Sequence, residues 1–197
     1  LITLLALLWL LMKLAGLLIA VFRFLNGDET AISRYFDRNR ERKGFQALTE
    51  GLLALAAGEG RLALNRAIKA EKYLAEPHLT TLLVAQAAEA AGDTRRATEA
   101  YKELLASDTT RFVAIRGLLK QKLAEGDTET ALKLAEKAFE LKPRHIETQD
   151  ILLKLQAEGR DWKGARSTLD AQLRGGEKPT DVYRRRDAVL ALQQAQG

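Results

Sequence analysis

The chain of 197 residues has no cysteine, three prolines, one methionine and two histidines. The missing cysteine excludes a disulfide framework, a thiolate zinc site, an iron–sulfur cluster and a cysteine nucleophile. The two histidines, His78 and His145, lie far apart and have no carboxylate or hydroxyl at a telling spacing, so they read as solvated or capping residues. Few prolines, 47% apolar and 29% charged residues indicate a folded, mostly helical protein of one ordinary domain, or a small domain with an anchor.

A single-signed surface is missing as well. The net charge is +5, yet residues 44–173 carry 19 basic and 19 acidic side chains and cancel. The excess lies in residues 34–43, where Arg34, Arg38, Arg40, Arg42 and Lys43 outweigh Asp37 and Glu41, and in the tail from Arg174, which includes Arg184, Arg185 and Arg186. A nucleic-acid-binding protein concentrates positive charge along one face, and this neutral body does not.

Polar residues are nearly absent from residues 1–22, whose only charge is Lys13. At 1.5 Å per residue this stretch makes a helix of about 33 Å, enough for a hydrocarbon core of about 30 Å. A central lysine costs about 3 kcal/mol, offset by leucines at about −0.5 kcal/mol each. Residues 1–25 are therefore expected to be a transmembrane helix with Trp9, Phe22 and Phe24 as interfacial anchors. Residues 26–43 form a basic juxtamembrane segment that keeps the following chain in the cytoplasm and touches anionic headgroups. Because the chain starts with Leu, a preceding segment is also expected.

Comparing the chain with itself reveals a repeat. Gly58-Glu59, Gly92-Asp93, Gly126-Asp127 and Arg160-Asp161 recur every 34 residues, each followed by Ala63, Ala97, Ala131 or Ala165. Apolar residues at helical spacing predict helices over 45–57, 78–91, 112–125 and 146–158 before these turns, and over 62–74, 94–105, 128–141 and 162–173 after them. Pro77, Pro143 and Pro179 fall where helices must stop or start. Glycine suits a left-handed helix end, and the acidic residue after it can cap the next helix. Arg160 replaces that glycine in the last repeat, so its turn is expected to be built differently.

A 34-residue period with alanine opening the second helix resembles the tetratricopeptide pattern. The aromatic residue of that pattern appears only as Tyr101, with Ala67, Ala135 and Leu169 in its place elsewhere. The resemblance implies an all-α solenoid of antiparallel helix pairs, with repeats at 44–77, 78–111, 112–145 and 146–177 and a capping helix over 178–197. Stacked repeats offer a concave binding surface. In this register the first helices place Gln86, Glu89, Arg116, Lys120, Asp150 and Lys154 as the partner-binding groove, with Leu48, Leu52 and Leu55 in an apolar first repeat covered by the juxtamembrane segment.

Nothing in the chain reads as catalytic. The string from Gly58 to Ala63 matches Gly-x-Gly-x-x-Ala, but helix formers precede it where a dinucleotide site needs a strand. Acidic and basic residues alternate at helical offsets, as on solvated faces. No enzyme activity, cofactor or metal is expected.

One combination narrows the family: the leucine-rich segment, then Arg34-Tyr-Phe-Asp-Arg-Asn-Arg-Glu-Arg-Lys43, then Gly44-Phe-Gln-Ala-Leu-Thr-Glu-Gly-Leu-Leu-Ala-Leu-Ala-Ala-Gly58, with Arg116-Gly-Leu and Ala124-Glu-Gly-Asp127 downstream. This resembles the N-terminal region of the HemY family of bacterial haem-biosynthesis-associated inner-membrane proteins. The resemblance implies a non-enzymatic scaffold facing the cytoplasm that engages late enzymes of haem (porphyrin) synthesis. A direct porphyrin or haem carrier using the helical groove is the competing reading.

Overall fold

A computed structural model of the chain describes residues 2–25, 31–174 and 180–196, and the side chains of 9–22, 38–174 and 181–196. Pro179 and the side chains of Phe24 and Arg34 lie outside these residues. Among the described residues there are ten helices and no strand: α1 (Ile2–Leu25), α2 (Ala31–Ala56), α3 (Gly60–Tyr73), α4 (Pro77–Ala91), α5 (Thr94–Leu104), α6 (Asp108–Glu125), α7 (Thr128–Leu141), α8 (Ile146–Glu158), α9 (Trp162–Arg174) and α10 (Thr180–Gln196). From α2 to α10 each helix packs on the next, and α2 also meets α4. Helix pairs at a 34-residue period make the fold tetratricopeptide-like.

The same turn closes each of the four pairs. Gly58, Gly92 and Gly126 take φ of 77°, 79° and 76°. In each turn the next residue's amide reaches five residues back: Glu59 N to Ala54 O 2.9 Å, Asp93 N to Ala88 O 2.9 Å, Asp127 N to Lys122 O 3.0 Å, and Asp161 N to Gln156 O 2.8 Å. These bonds use carbonyls that the helix end leaves without partners. Asp93, Asp127 and Asp161 then accept from the amides of Arg96, Thr130 and Gly164 at 3.0–3.1 Å, capping the next helix. The longer Glu59 makes no such side-chain cap.

The fourth turn corrects an expectation. Arg160 is not bypassed; it takes the left-handed conformation itself, with φ 58°, while Gly159 stays at −79°. A side chain in that conformation costs about 1–2 kcal/mol. Arg160→Gly is therefore expected to stabilise the fourth repeat by about 1 kcal/mol, read as a higher urea midpoint at unchanged slope. An unchanged midpoint would mean that the arginine side chain compensates its backbone.

Alanine sets the interhelical distance. Ala63, Ala97, Ala131 and Ala165 are all fully buried, as are Ala67, Ala70, Ala135 and Ala138 on the same stripes of α3 and α7. Large and small residues exchange across the repeat joints. Ala67 and Leu83 share one core cluster, and Ala135 packs with Ile151 in another. At the joint between them the sizes invert: the Tyr101 ring lies on Gly117, where any Cβ would collide with it.

Two further expectations change. Helix α2 runs unbroken from Ala31, so residues 38–43 are collinear with the first repeat and cannot fold back over it. Leu48 is buried and Leu55 half-buried, but Leu52 and Leu53 are 47% and 66% exposed. The expected cover over the first repeat is absent among the described residues. Gly44 does not interrupt the helix because it is a packing residue: a Cβ there would stand 2.6 Å from Leu74 Cγ.

The expected transmembrane span is not recovered either. Among the described residues no helix is long and apolar enough to cross a membrane. Residues 9–22 of α1 have described side chains. Their apolar side chains are exposed all round, including Trp9 at 64%, Met12 at 71% and Phe22 at 65%.

Candidate functional site

First helices α4, α6 and α8 carry the expected groove residues, with Gln86, Lys120 and Lys154 at one register position and Arg116 and Asp150 at another, while Glu89 has Leu123 and Ala157 as its equivalents. Gln86 is half-buried, while Lys120 and Lys154 are exposed. Lys154 lies 3.8 Å from Glu158, four residues on. Lys120 makes no hydrogen bond or ion pair among the described residues and is the free cation of this row. The i, i+4 geometry of Lys154 holds it weakly, at about 0.3–0.5 kcal/mol.

Glu89 and Arg116 have structural partners as well. The Tyr101 hydroxyl donates to Glu89 Oε2 at 2.7 Å, tying α5 to α4. Burial first, and then the bond to Glu89, push the Tyr101 phenol well above its ordinary range, while Arg116 pulls the other way. The phenol thus stays a donor at any physiological pH. Arg116 pairs with Glu147 of α8 and sits 6.0 Å from the centroid of Phe112. Glu89, Tyr101, Arg116 and Glu147 form a polar seam across two repeat joints. Asp150 accepts from Gln172 Nε2 at 2.8 Å, joining α8 to α9. The structure therefore brings Glu89 and Arg116 together around Tyr101 and leaves Gln86, Lys120 and Lys154 available on the surface.

A basic cluster beside this seam escapes sequence reasoning. Phe112, buried at the start of α6, has Lys142 Nζ 4.5 Å from its ring centroid and the His145 ring edge-on at 5.0 Å. Lys142, Pro143, Arg144 and His145 line an open cavity of about 500 Å³. The signal was three basic residues around Pro143, which read only as a repeat terminus. His145 is the N-cap of α8: its Nδ1 accepts from the Thr148 amide at 3.3 Å and lies 2.9 Å from Thr148 Oγ1. His78 is exposed in the first turn of α4. Among the described residues no group of His, Asp and Glu could hold a metal ion.

The basic residues of α2 divide in a similar way. Arg38 and Lys43 are exposed, and Arg42 donates to Asn39 Oδ1 at 3.3 Å. Arg40 donates to the Lys72 carbonyl at 3.2 Å and so closes the end of α3. Its role is at least partly structural.

Residues 1–92 match the family model described as HemY protein N-terminus. No curated protein matches the chain. Among solved structures, the chain is similar to a thermophilic TPR protein of Thermus thermophilus, at 21% identity and a TM-score of 0.48, covering 77% of this chain and 82% of that one.

Proposed function

Taking as premise that the chain carries a HemY-family N-terminal region over residues 1–92, we propose that it is a membrane-anchored scaffold. Its first-helix face binds protein partners, and by family these are late enzymes of haem (porphyrin) synthesis. The carrying observation is the row of half-buried Gln86 and exposed Lys120 and Lys154 at one register position on three stacked helices. Lys120 has no internal partner to keep it from a carboxylate on a bound segment. This role needs no catalysis by the chain.

Helix α1 is the anchor in this reading. Its exposed apolar side chains, with Lys13 Nζ 5.6 Å from the Trp9 ring centroid, suit a lipid environment in which the lysine snorkels along an aromatic neighbour. Exposed Arg38 and Lys43 on the following helix favour an orientation with the repeats in the cytoplasm of the bacterial cell, at its inner membrane.

Charge reversal tests the binding face. Lys120→Glu is expected to lower recovery of haem-synthesis enzymes with the detergent-solubilised full chain by about tenfold, and added salt should reproduce the loss. Lys133→Glu, on an exposed part of α7, should leave recovery unchanged. Equal recovery with Lys120→Glu would place the binding surface elsewhere.

A further inference from the structure

Helix α10 begins 34 residues after α8 and so stands where the first helix of a further repeat would stand. It carries two opposite faces. Tyr183, Asp187, Leu190 and Gln194 form one, at i, i+4, i+7 and i+11, and this face meets α9. There Tyr183 Oη donates to Asp170, Arg166 Nε donates to Asp187 Oδ1 at 2.8 Å, and Leu190 is buried with Ala165 and Leu169. Arg185, Val189 and Leu192 form the other. Val189 and Leu192 are 59% and 57% exposed, and Val189 borders, with Leu153 and Leu190, a shallow groove flanked by Arg185 and Arg186.

The repeat register shows what this open face is built to meet. The positions of Arg185 and Val189 are held by Leu83 and Ala87 in α4, Gly117 and Gln121 in α6, and Ile151 and Leu155 in α8. In each of those helices a second helix covers them. Leu83 clusters with Ala67 of α3, Gly117 lies under Tyr101 of α5, and Gln121 accepts from Thr98 of α5 at 2.7 Å. Leu155 clusters with Ala131 and Ala135 of α7. In α10 the preceding second helix, α9, occupies the other face instead.

We infer that the open face of α10 docks a partner's amphipathic helix of the second-helix type: small residues at i, i+4 and i+7 against Val189 and Leu192, with acidic residues beside Arg184, Arg185 and Arg186. Size complementarity follows from the repeat joints, where an alanine stripe receives a branched side chain. Charge complementarity follows from three adjacent exposed arginines, none of which forms an ion pair with α9 or α10 among the described residues. This surface is separate from the Lys120 row and does not depend on the haem assignment.

The probe is a peptide copying Thr128–Leu141, with Leu132→Glu and Phe139→Glu on the flank of its alanine stripe and a hydrocarbon staple across positions 136 and 140 on its polar face, so that helix formation does not limit binding. Fluorescence anisotropy with the full chain in detergent should show saturable binding that weakens with salt. Val189→Asp, at an exposed position that leaves the fold intact by circular dichroism, should raise Kd by at least about tenfold. Arg185→Glu with Arg186→Glu should do the same and remove the salt dependence. The peptide with Leu132→Lys and Phe139→Lys instead should bind more weakly. Absence of saturable binding, or equal binding by the Val189→Asp chain, overturns the inference. A concentration-dependent dimer abolished by Val189→Asp also overturns it and makes a second copy the occupant, and loss of anionic-vesicle binding alone assigns the face to lipid.

Discussion

Gly117→Leu is expected to destabilise the repeat body by about 3 kcal/mol or more, because the Tyr101 ring occupies the space any side chain there would need. The ring cannot swing out cheaply: it is buried, and its hydroxyl is fixed to Glu89 at 2.7 Å. Tyr101→Ala alone should cost a similar amount by leaving a cavity. The double variant should be more stable than either single one, since it copies the Ala67–Leu83 and Ala135–Ile151 arrangement of the neighbouring joints. A thermodynamic cycle from urea unfolding should give a coupling of about 2–3 kcal/mol. Additive effects would mean that ring and glycine do not form a unit. Glu89 should become available to a partner in the double variant.

Removal of residues 1–25 is the second large effect. The full chain is expected to stay with the membrane through alkaline carbonate extraction, and residues 26–197 to be released almost completely. Released protein should keep its helical circular dichroism and its unfolding midpoint, because residues 9–22 bury nothing in the repeats. Retention of the shortened chain would move the anchor to the basic start of α2 or to the open face of α10. Such retention would also be salt-sensitive, since an electrostatic contact with anionic lipid is screened and an inserted helix is not.

These two predictions draw on parts of the molecule that were unequally legible in the sequence. The turn spine could be read directly, since a left-handed helix end wants glycine and a helix start wants aspartate, and the chain repeats both every 34 residues. Arg160 shows the limit of that reading. The backbone conformation is set by the packed helices on either side, and an arginine accepts the strain instead of rerouting the turn. Gly44 shows another limit: the first repeat helix is expected from residue 45, yet α2 runs straight through Gly44, whose use is close contact with Leu74.

The groove was legible as a register and illegible as chemistry. Equivalent positions on successive first helices follow from the period alone. Whether a charge there is free depends on residues 12 to 31 positions away, such as Tyr101 for Glu89 and Glu147 for Arg116, and no local pattern reveals those pairs. The exchange of Tyr101 and Gly117 against Ala67 and Leu83 could be seen in the sequence, but only by comparing residues 16 apart across consecutive repeats. The helix over 178–197 is legible but its second face is not: its apolar residues fall on two opposite faces, so a single amphipathic stripe, the usual sign of a capping helix, does not describe it.

We propose that a membrane-anchored stack of repeats binds haem-synthesis enzymes through its first helices. The most direct test of this proposal is crosslinking in the native membrane from a photoreactive residue placed at Lys120, compared with one placed at Lys133 on α7. Adducts from position 120 are expected to contain late haem-synthesis enzymes, and those from position 133 are not. Absence of these enzymes from the position 120 adducts, or equal yields from both positions, would contradict it.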